Sequence, residues 1–250
     1  ALTPVDDRVS VQVKQQYEEN PYPRWTLNPL TLLAGERKTL SEPAGSGEQR
    51  IAEEILIAGC GTGQHAFQIS RSFPEAHVLA VDISLASLAY ARRKTREEGL
   101  RNIEYAQADI LKLATIGRNF DRIEAIGVLH HLAEPKAGWR VLLTLLRPDG
   151  EMRIGLYSKL ARRAIVEART FITERAYRAT AEDIRKCRQQ LLHGDYELRW
   201  KDLTATTDFY SMSGCRDLLF NVMEHRFTIP EIKIFLREHR LSFLGFELEP

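Results

Sequence analysis

The chain has 250 residues, enough for one full α/β core or two small domains, and 35 Lys and Arg nearly balance 34 Asp and Glu, for a net charge of +1. That balance excludes bulk electrostatics as a reason to bind nucleic acid or a membrane surface. No apolar run approaches bilayer length, no signal peptide is legible, and Cys60, Cys187 and Cys215 show neither paired spacing nor a metal pattern, so a cytoplasmic protein with free thiols is expected.

The first residues, ALTPVDDRVSVQVKQQYEE, predict a loose tether followed by a short helix over Val9–Glu19. Asn20-Pro21-Tyr22-Pro23-Arg24-Trp25 ends it, because each proline fixes its own φ and biases the preceding residue to extended backbone. Tyr17, Tyr22, Arg24 and Trp25 gather here. Such a stiff aromatic segment either anchors an arm on the domain or lies over a ligand cleft. Residues 1–50 read as this arm and a linker, the polar stretch Glu36–Gln49 carrying Pro43-Ala44-Gly45-Ser46-Gly47.

From residue 51 to 157 strands and helices alternate. Strands are expected at Glu54–Ala58, 77–81, Ile103–Gln107, Phe120–Ile126 and Glu151–Leu156. Helices are expected at 65–72, 84–98 (closed by Gly99) and 135–146 (ended by Pro148-Asp149-Gly150). Short connections between such elements predict an α/β fold with a doubly wound, mostly parallel sheet. Residues 158–226 break the rhythm. Helices at Ala161–Thr173 and Ala181–Leu192 lead into the polar, aromatic stretch Thr207–Arg226, read as a helical cap inserted after strand 5 with Asp208–Arg216 facing the cleft. Residues 227–250 return to the core. Thr228-Ile229-Pro230-Glu231 has capping-box spacing and opens a helix over Pro230–His239, and Ser242–Glu249 predicts a final strand.

The chain is organised around Ile55–Ala66, ILIAGCGTGQHA. An apolar strand runs into Gly59-Cys60-Gly61-Thr62-Gly63 and then into a helix, the layout of a nucleotide-binding turn. Asp82 ends the next strand about 20 residues on, where a carboxylate can accept from two vicinal ribose hydroxyls. Capping the following helix is the alternative for Asp82, but Ser84 serves that purpose equally well.

With these landmarks the chain resembles class I S-adenosylmethionine-dependent methyltransferases. The resemblance covers Glu54–Tyr157 and the last helix and strand, through AGCGTG, VLAVDIS, Ala108-Asp109-Ile110, FDRIEAIGVLHHL and LLRPDGEMRIGLYS in order. It implies a Rossmann-like fold with S-adenosylmethionine as cofactor and no bound metal. Gly59, Cys60, Gly61 and Gly63 would line the cofactor, with Asp82 and Ile83 at the ribose, Asp109 and Ile110 at the adenine, and Gly127 beneath the methyl group. A narrower resemblance joins QYEENPYPRW, AGCGTGQH, GVLHHLAEP and CRDLLFNVMEHRFTIPEI to methyltransferase domains found beside tetratricopeptide repeats in bacterial proteins.

Two departures carry expectations of their own. Class I members usually hold an acid two positions before the first glycine. Here that position is Ile57, so Arg24 or Tyr17 from the arm is expected to take over at the methionine end. The fold also normally closes with a further antiparallel strand, so the chain is expected to continue beyond Pro250. Methyl transfer from a sulfonium needs an aligned nucleophile and, where required, a base. His130 and His131 follow strand 4 and are the candidates, although either could instead hold its loop by packing. Tyr22, Tyr157, Tyr210 and Arg216 are candidate acceptor contacts. The acceptor is expected to be a small or medium-sized molecule. A protein or RNA acceptor, or a module that binds the cofactor without turnover, remains open, with nucleic acid the less favoured and a nicotinamide dehydrogenase disfavoured by the GxGxG spacing.

Overall fold

A computed structural model describes residues 1–25, 52–193 and 200–247. Five strands, β1 (Glu54–Ala58), β2 (His77–Asp82), β3 (Ile103–Gln107), β4 (Phe120–Ile126) and β5 (Leu146–Gly155), form one sheet in the order β3-β2-β1-β4-β5. Every neighbouring pair is parallel. The strand order reverses between β1 and β4, which opens a crevice at their carboxyl ends, the usual ligand position in such sheets.

The strands are apolar on both faces because both are covered. On one face Ile55, Ile57, Val78 and Ala80 meet Ala66 and Ile69 of α2 (Gln64–Ser72) and Leu88 of α3 (Leu85–Glu97). On the other, Leu56, Leu79, Ile123 and Ala125 meet Trp139, Leu142 and Leu145 of α4 (Pro135–Leu145). A doubly wound Rossmann-like sheet is therefore what the alternating pattern encodes.

The N-terminal helix α1 (Arg8–Glu19) begins at Asp7, whose Oδ1 accepts from the Val9 and Ser10 amides. Its far end is tied to the core. The Glu18 carboxylate accepts from the Leu85 and Ala86 amides at 2.7 and 2.9 Å, satisfying free donors at the start of α3. Beyond β5, among the described residues, lie α5 (Arg163–Glu174), α6 (Ala181–Leu192), the short α7 (Lys201–Thr204) and α8 (Met212–Phe220). They share a core of their own that includes Phe171, Ile184, Leu191, Trp200 and Phe209. The last helix, α9 (Ile229–Glu238), has the Thr228–Glu231 capping box and stacks Phe235 on Trp139 at 4.0 Å.

Two boundaries differ from expectation. Strand β5 begins at Leu146 rather than Glu151, with a register shift between Phe120 and Arg122. Pro148 lacks a donor and Asp149 takes a left-handed φ of 65°, so the Pro-Asp-Gly stretch bulges within the strand instead of preceding it. The final strand is a correction. Residues 242–247 form no strand, and Phe243, Leu244 and Phe246 stay exposed. Alternating apolar residues make a strand only when a ladder partner is available, and Glu247 meets β5 through a side-chain contact to Arg153 rather than in a described ladder. Leu248 and Glu249, like the polar linker Glu36–Gln49, lie outside the described residues.

Candidate active site

A cavity of about 320 Å³ opens at the carboxyl ends of the strands. Its floor is the turn after β1, with Gly59, Cys60 and Gly61, together with Ile126, Gly127 and Val128 after β4. Gly59 (φ 74°) and Gly61 (φ 52°) need the left-handed conformation that glycine adopts without strain. A Cβ at Gly59 would lie 2.3 Å from a Val128 methyl, and one at Gly61 would lie 2.4 Å from the Tyr22 carbonyl. Gly63 is not on this wall. A Cβ there would strike Ala91 at 2.5 Å, so Gly63 lets α3 approach the start of α2.

One half of the cavity suits a nucleoside. Asp82, 8% exposed, accepts from the Gly61 amide at 2.7 Å and the Ser84 amide at 2.9 Å, one bond on each oxygen. Burial raises the Asp82 pKa, opposed by the Ser84, Gly61 and Ile83 amides. The helix cap itself comes from Ser84, which accepts from the Ser87 amide. Asp109 is 1% exposed. Its Oδ1 accepts from the Leu111 amide at 2.9 Å, while its Oδ2 is buried without a hydrogen-bond partner. An orphaned carboxylate oxygen in a cavity wall fits a ligand with an exocyclic amine. Ile83, Ala108 and Ile110 supply the apolar walls, and Ser10 and Val13 of α1 also line the cavity.

The other half lies where α1 and the segment after it meet α8. Tyr17 donates to Asp217 Oδ1 at 2.6 Å, and Asn221 Nδ2 donates to the same oxygen at 3.0 Å. Tyr22 donates to Asp208 at 2.9 Å. Tyr17, Tyr22, His131, Tyr157 and Asp217 all line the cavity. The arm is stitched to the glycine turn: Trp25 Nε1 donates to the Thr62 carbonyl at 2.8 Å, and the Thr62 amide donates to the Tyr22 carbonyl at 3.1 Å.

The two adjacent histidines differ. His131 Nδ1 lies 2.6 Å from the Met223 carbonyl, which can only accept, so Nδ1 carries the hydrogen and Nε2 of the neutral ring is an acceptor. His130 has no exposed surface, neither ring nitrogen has a partner, and the ring stacks on Tyr157 at 3.7 Å. Burial, with His131 and Arg162 nearby, pushes its pKa down to about 2. His130 is thus a neutral packing residue outside the cavity wall, a correction to the pairing of both histidines with the chemistry.

Three further candidates are not brought to the cavity. Arg24 is exposed, although its neighbours Tyr22 and Pro23 line the cavity. Tyr210 is 56% exposed. Arg216 turns to Glu19 of α1 at 2.6 Å. The local sequence carries no signal for these orientations, since each depends on how α1 and α8 dock. Asp217 and Asp208 were legible only as part of a polar, aromatic stretch. His65 and Glu124 were not legible. Glu124 has no exposed surface, bonds to His65 Nε2 and accepts from Arg122 Nε at 2.7 Å, and His65 lines the cavity.

Residues 55–150 match the family described as "Methyltransferase domain". The chain is 34% identical over 122 residues to "Uncharacterized protein syc1184_c" of Synechococcus sp., covering 48% of this chain and 29% of that protein. It is 29% identical over 131 residues to "Ubiquinone biosynthesis O-methyltransferase" of Acinetobacter baumannii, covering 52% and 51%. PKMT2 from Rickettsia typhi, solved in complex with AdoHcy, is similar in fold, with a TM-score of 0.63 at 17% identity over 78% of this chain and 40% of that one. The matches span about half or less of these relatives' own length.

Proposed function

We propose that the chain carries a class I S-adenosylmethionine-dependent methyltransferase domain and moves the cofactor's methyl group to a small or medium-sized acceptor held between α1 and α8. The observation that carries this reading is the division of one cavity into two chemically different halves. Asp82 and the unpartnered Asp109 Oδ2 suit adenosine, while the tyrosines, His131 and Asp217 surround the remainder.

In this reading Asp82 accepts from the ribose hydroxyls and Asp109 Oδ2 from the adenine amine. Gly59, Cys60 and Gly61 would hold the methionine end, with His65, oriented by Glu124, in the same wall. When bound, the cofactor supplies an electrophilic methyl for in-line displacement. The chain's own part is to align the nucleophile and take its proton, for which His131 Nε2 has the correct tautomer. Among the described residues no helix is long and apolar enough to cross a membrane. We propose a cytoplasmic site of action, where the three buried cysteines would stay reduced.

Calorimetry with S-adenosylmethionine, S-adenosylhomocysteine and NAD tests the reading. The first two should bind one per chain and NAD should not. Binding of NAD, or of none of the three, overturns it.

A further inference from the structure

Asp217 sets a problem that the cofactor does not solve. It is a carboxylate with 5% of its surface exposed, in the cavity wall, at the acceptor end. Both of its hydrogen bonds, from Tyr17 and Asn221, fall on Oδ1 and come from neutral donors. Among the described residues no cationic nitrogen lies within ion-pair distance of it. The nearby guanidinium groups are engaged elsewhere: Arg216 by Glu19, Arg162 and Arg169 by Glu224. A buried carboxylate without a cation is costly unless it is neutralised or meets a charged ligand. Burial accordingly raises its pKa, with the neighbouring His131 and the Tyr17 and Asn221 hydrogen bonds opposing.

The surroundings select the ligand's sign. Tyr17 and Tyr22 line the same half of the cavity, and Asp208 stands behind Tyr22. Tyr157 lines it too, but its ring is covered by His130 at 3.7 Å and by the Arg162 guanidinium at 3.8 Å. The two carboxylates, Asp217 and Asp208, attract a cation and repel an anion. Resting on the methyltransferase reading above, we propose that the acceptor is an amine, recognised as its ammonium ion by the Asp217 carboxylate with Tyr17 and Tyr22 beside it, and methylated on nitrogen.

The step balances with groups already present. The ammonium first gives a proton to His131 Nε2, and the Asp217 carboxylate stabilises the resulting imidazolium. The freed nitrogen lone pair then forms the N–C bond to the sulfonium methyl as the C–S bond breaks and its electron pair stays on sulfur. The products are a methylammonium, the neutral thioether S-adenosylhomocysteine and a histidine that returns its proton to solvent. An acceptor carboxylate would face Asp217 directly, and an alcohol would leave the charge unmatched.

Binding of benzylamine, benzyl alcohol and benzoate to the full chain saturated with S-adenosylhomocysteine tests this without knowing the physiological acceptor. Benzylamine should bind about tenfold tighter than the alcohol, with benzoate weakest. Asp217→Asn should bring amine and alcohol within about twofold of one another while leaving S-adenosylhomocysteine affinity in place. The alcohol or benzoate matching the amine overturns the proposal, as does binding of none of the three or a preference that survives Asp217→Asn. Because the comparison in the parent protein stands alone, a variant that fails to fold does not decide the matter. Failure to bind S-adenosylhomocysteine at all strikes the underlying methyltransferase reading instead.

Discussion

Glu124 is the register partner of Ile57 across the parallel pairing of β1 and β4. The two Cα atoms stand side by side at the same height in the sheet, and parallel partners point to the same face. The position where the class I methyltransferases that this sequence resembles usually carry an acid is therefore apolar, while the adjacent strand carries a carboxylate with no exposed surface. It bonds to His65 at the start of α2 and to Arg122 two residues back on its own strand.

Breaking this cluster should be costly. Glu124→Gln removes the charge that faces the buried Arg122, and a buried pair deprived of one partner loses about 3–5 kcal/mol. Burial alone would raise the Glu124 pKa, but the His65 bond and charge, followed by Arg122, hold it below the ordinary value. A carboxylate with a lowered folded pKa stabilises the protein above its unfolded pKa and ceases to do so as pH falls through the folded one. Urea unfolding should show the full difference between parent and Glu124→Gln at neutral pH and little once Glu124 is protonated. Equal stabilities at neutral pH would refute the linkage.

His65 and Arg24 offer a contrast at the proposed methionine end. His65 lines the cavity and Arg24 is exposed. His65→Ala should weaken S-adenosylhomocysteine binding by about tenfold, or about 1.4 kcal/mol. Arg24→Ala should leave it unchanged. Titration calorimetry on the two variants decides between them, and the reverse ranking would restore Arg24 as the group that meets the cofactor.

At the nucleoside end, Asp82→Ala removes charge-assisted acceptors and should cost about 1.5–3 kcal/mol of S-adenosylhomocysteine affinity. Asp109 has a sharper test. Its unpartnered Oδ2 can accept from an amine but is repelled by a carbonyl oxygen. The inosine analogue of S-adenosylhomocysteine should therefore bind more weakly by about 1–3 kcal/mol. Equal affinities would remove Asp109 from the adenine.

Asp217 should be a liability in the ligand-free protein. Its folded pKa is raised by burial, so the protonated form is the one the fold favours. A carboxylate raised in this way lowers stability as pH climbs above its unfolded pKa, with the full penalty reached above the folded one. Asp217→Asn keeps the shape and can still accept from Tyr17. It should raise the melting temperature at neutral pH by about 2–4 °C for each kcal/mol relieved. The gain should vanish in acid, where the parent residue is already neutral. Thermal scans at two pH values check both signs, and a lower melting temperature at neutral pH would show that the ionised carboxylate is stabilising.

Much of this protein was legible in one dimension because the features concerned are local. Runs such as ILIA and VLAV are apolar on both faces, which specifies buried parallel strands. Glycines at 59 and 61 meet a backbone demand that can be read residue by residue, and Asp82 at the end of a strand has its place set by the strand itself. The Thr228–Glu231 cap is encoded within four residues. The predicted strand over 242–249 is absent from its described part, 242–247, because strand formation is not local: it needs a partner ladder, and alternation cannot report whether one is available.

What only the tertiary structure decided are the relations between distant residues and the fates of identical neighbours. Tyr17 meets Asp217 across 200 positions of sequence, and nothing in either segment's periodicity names the other. His130 and His131 are the same residue type in consecutive positions, yet one is sealed against Tyr157 while the other borders the cavity with its tautomer set by the Met223 carbonyl. Glu124 reads in sequence as an ordinary acid in a strand; its place beside Ile57 and beneath His65 follows from sheet order and register. Periodicity and turn chemistry determine which elements form, because they act over a few residues. Packing determines which polar groups lose water and which partner they meet, and those energies exist only once the elements have docked.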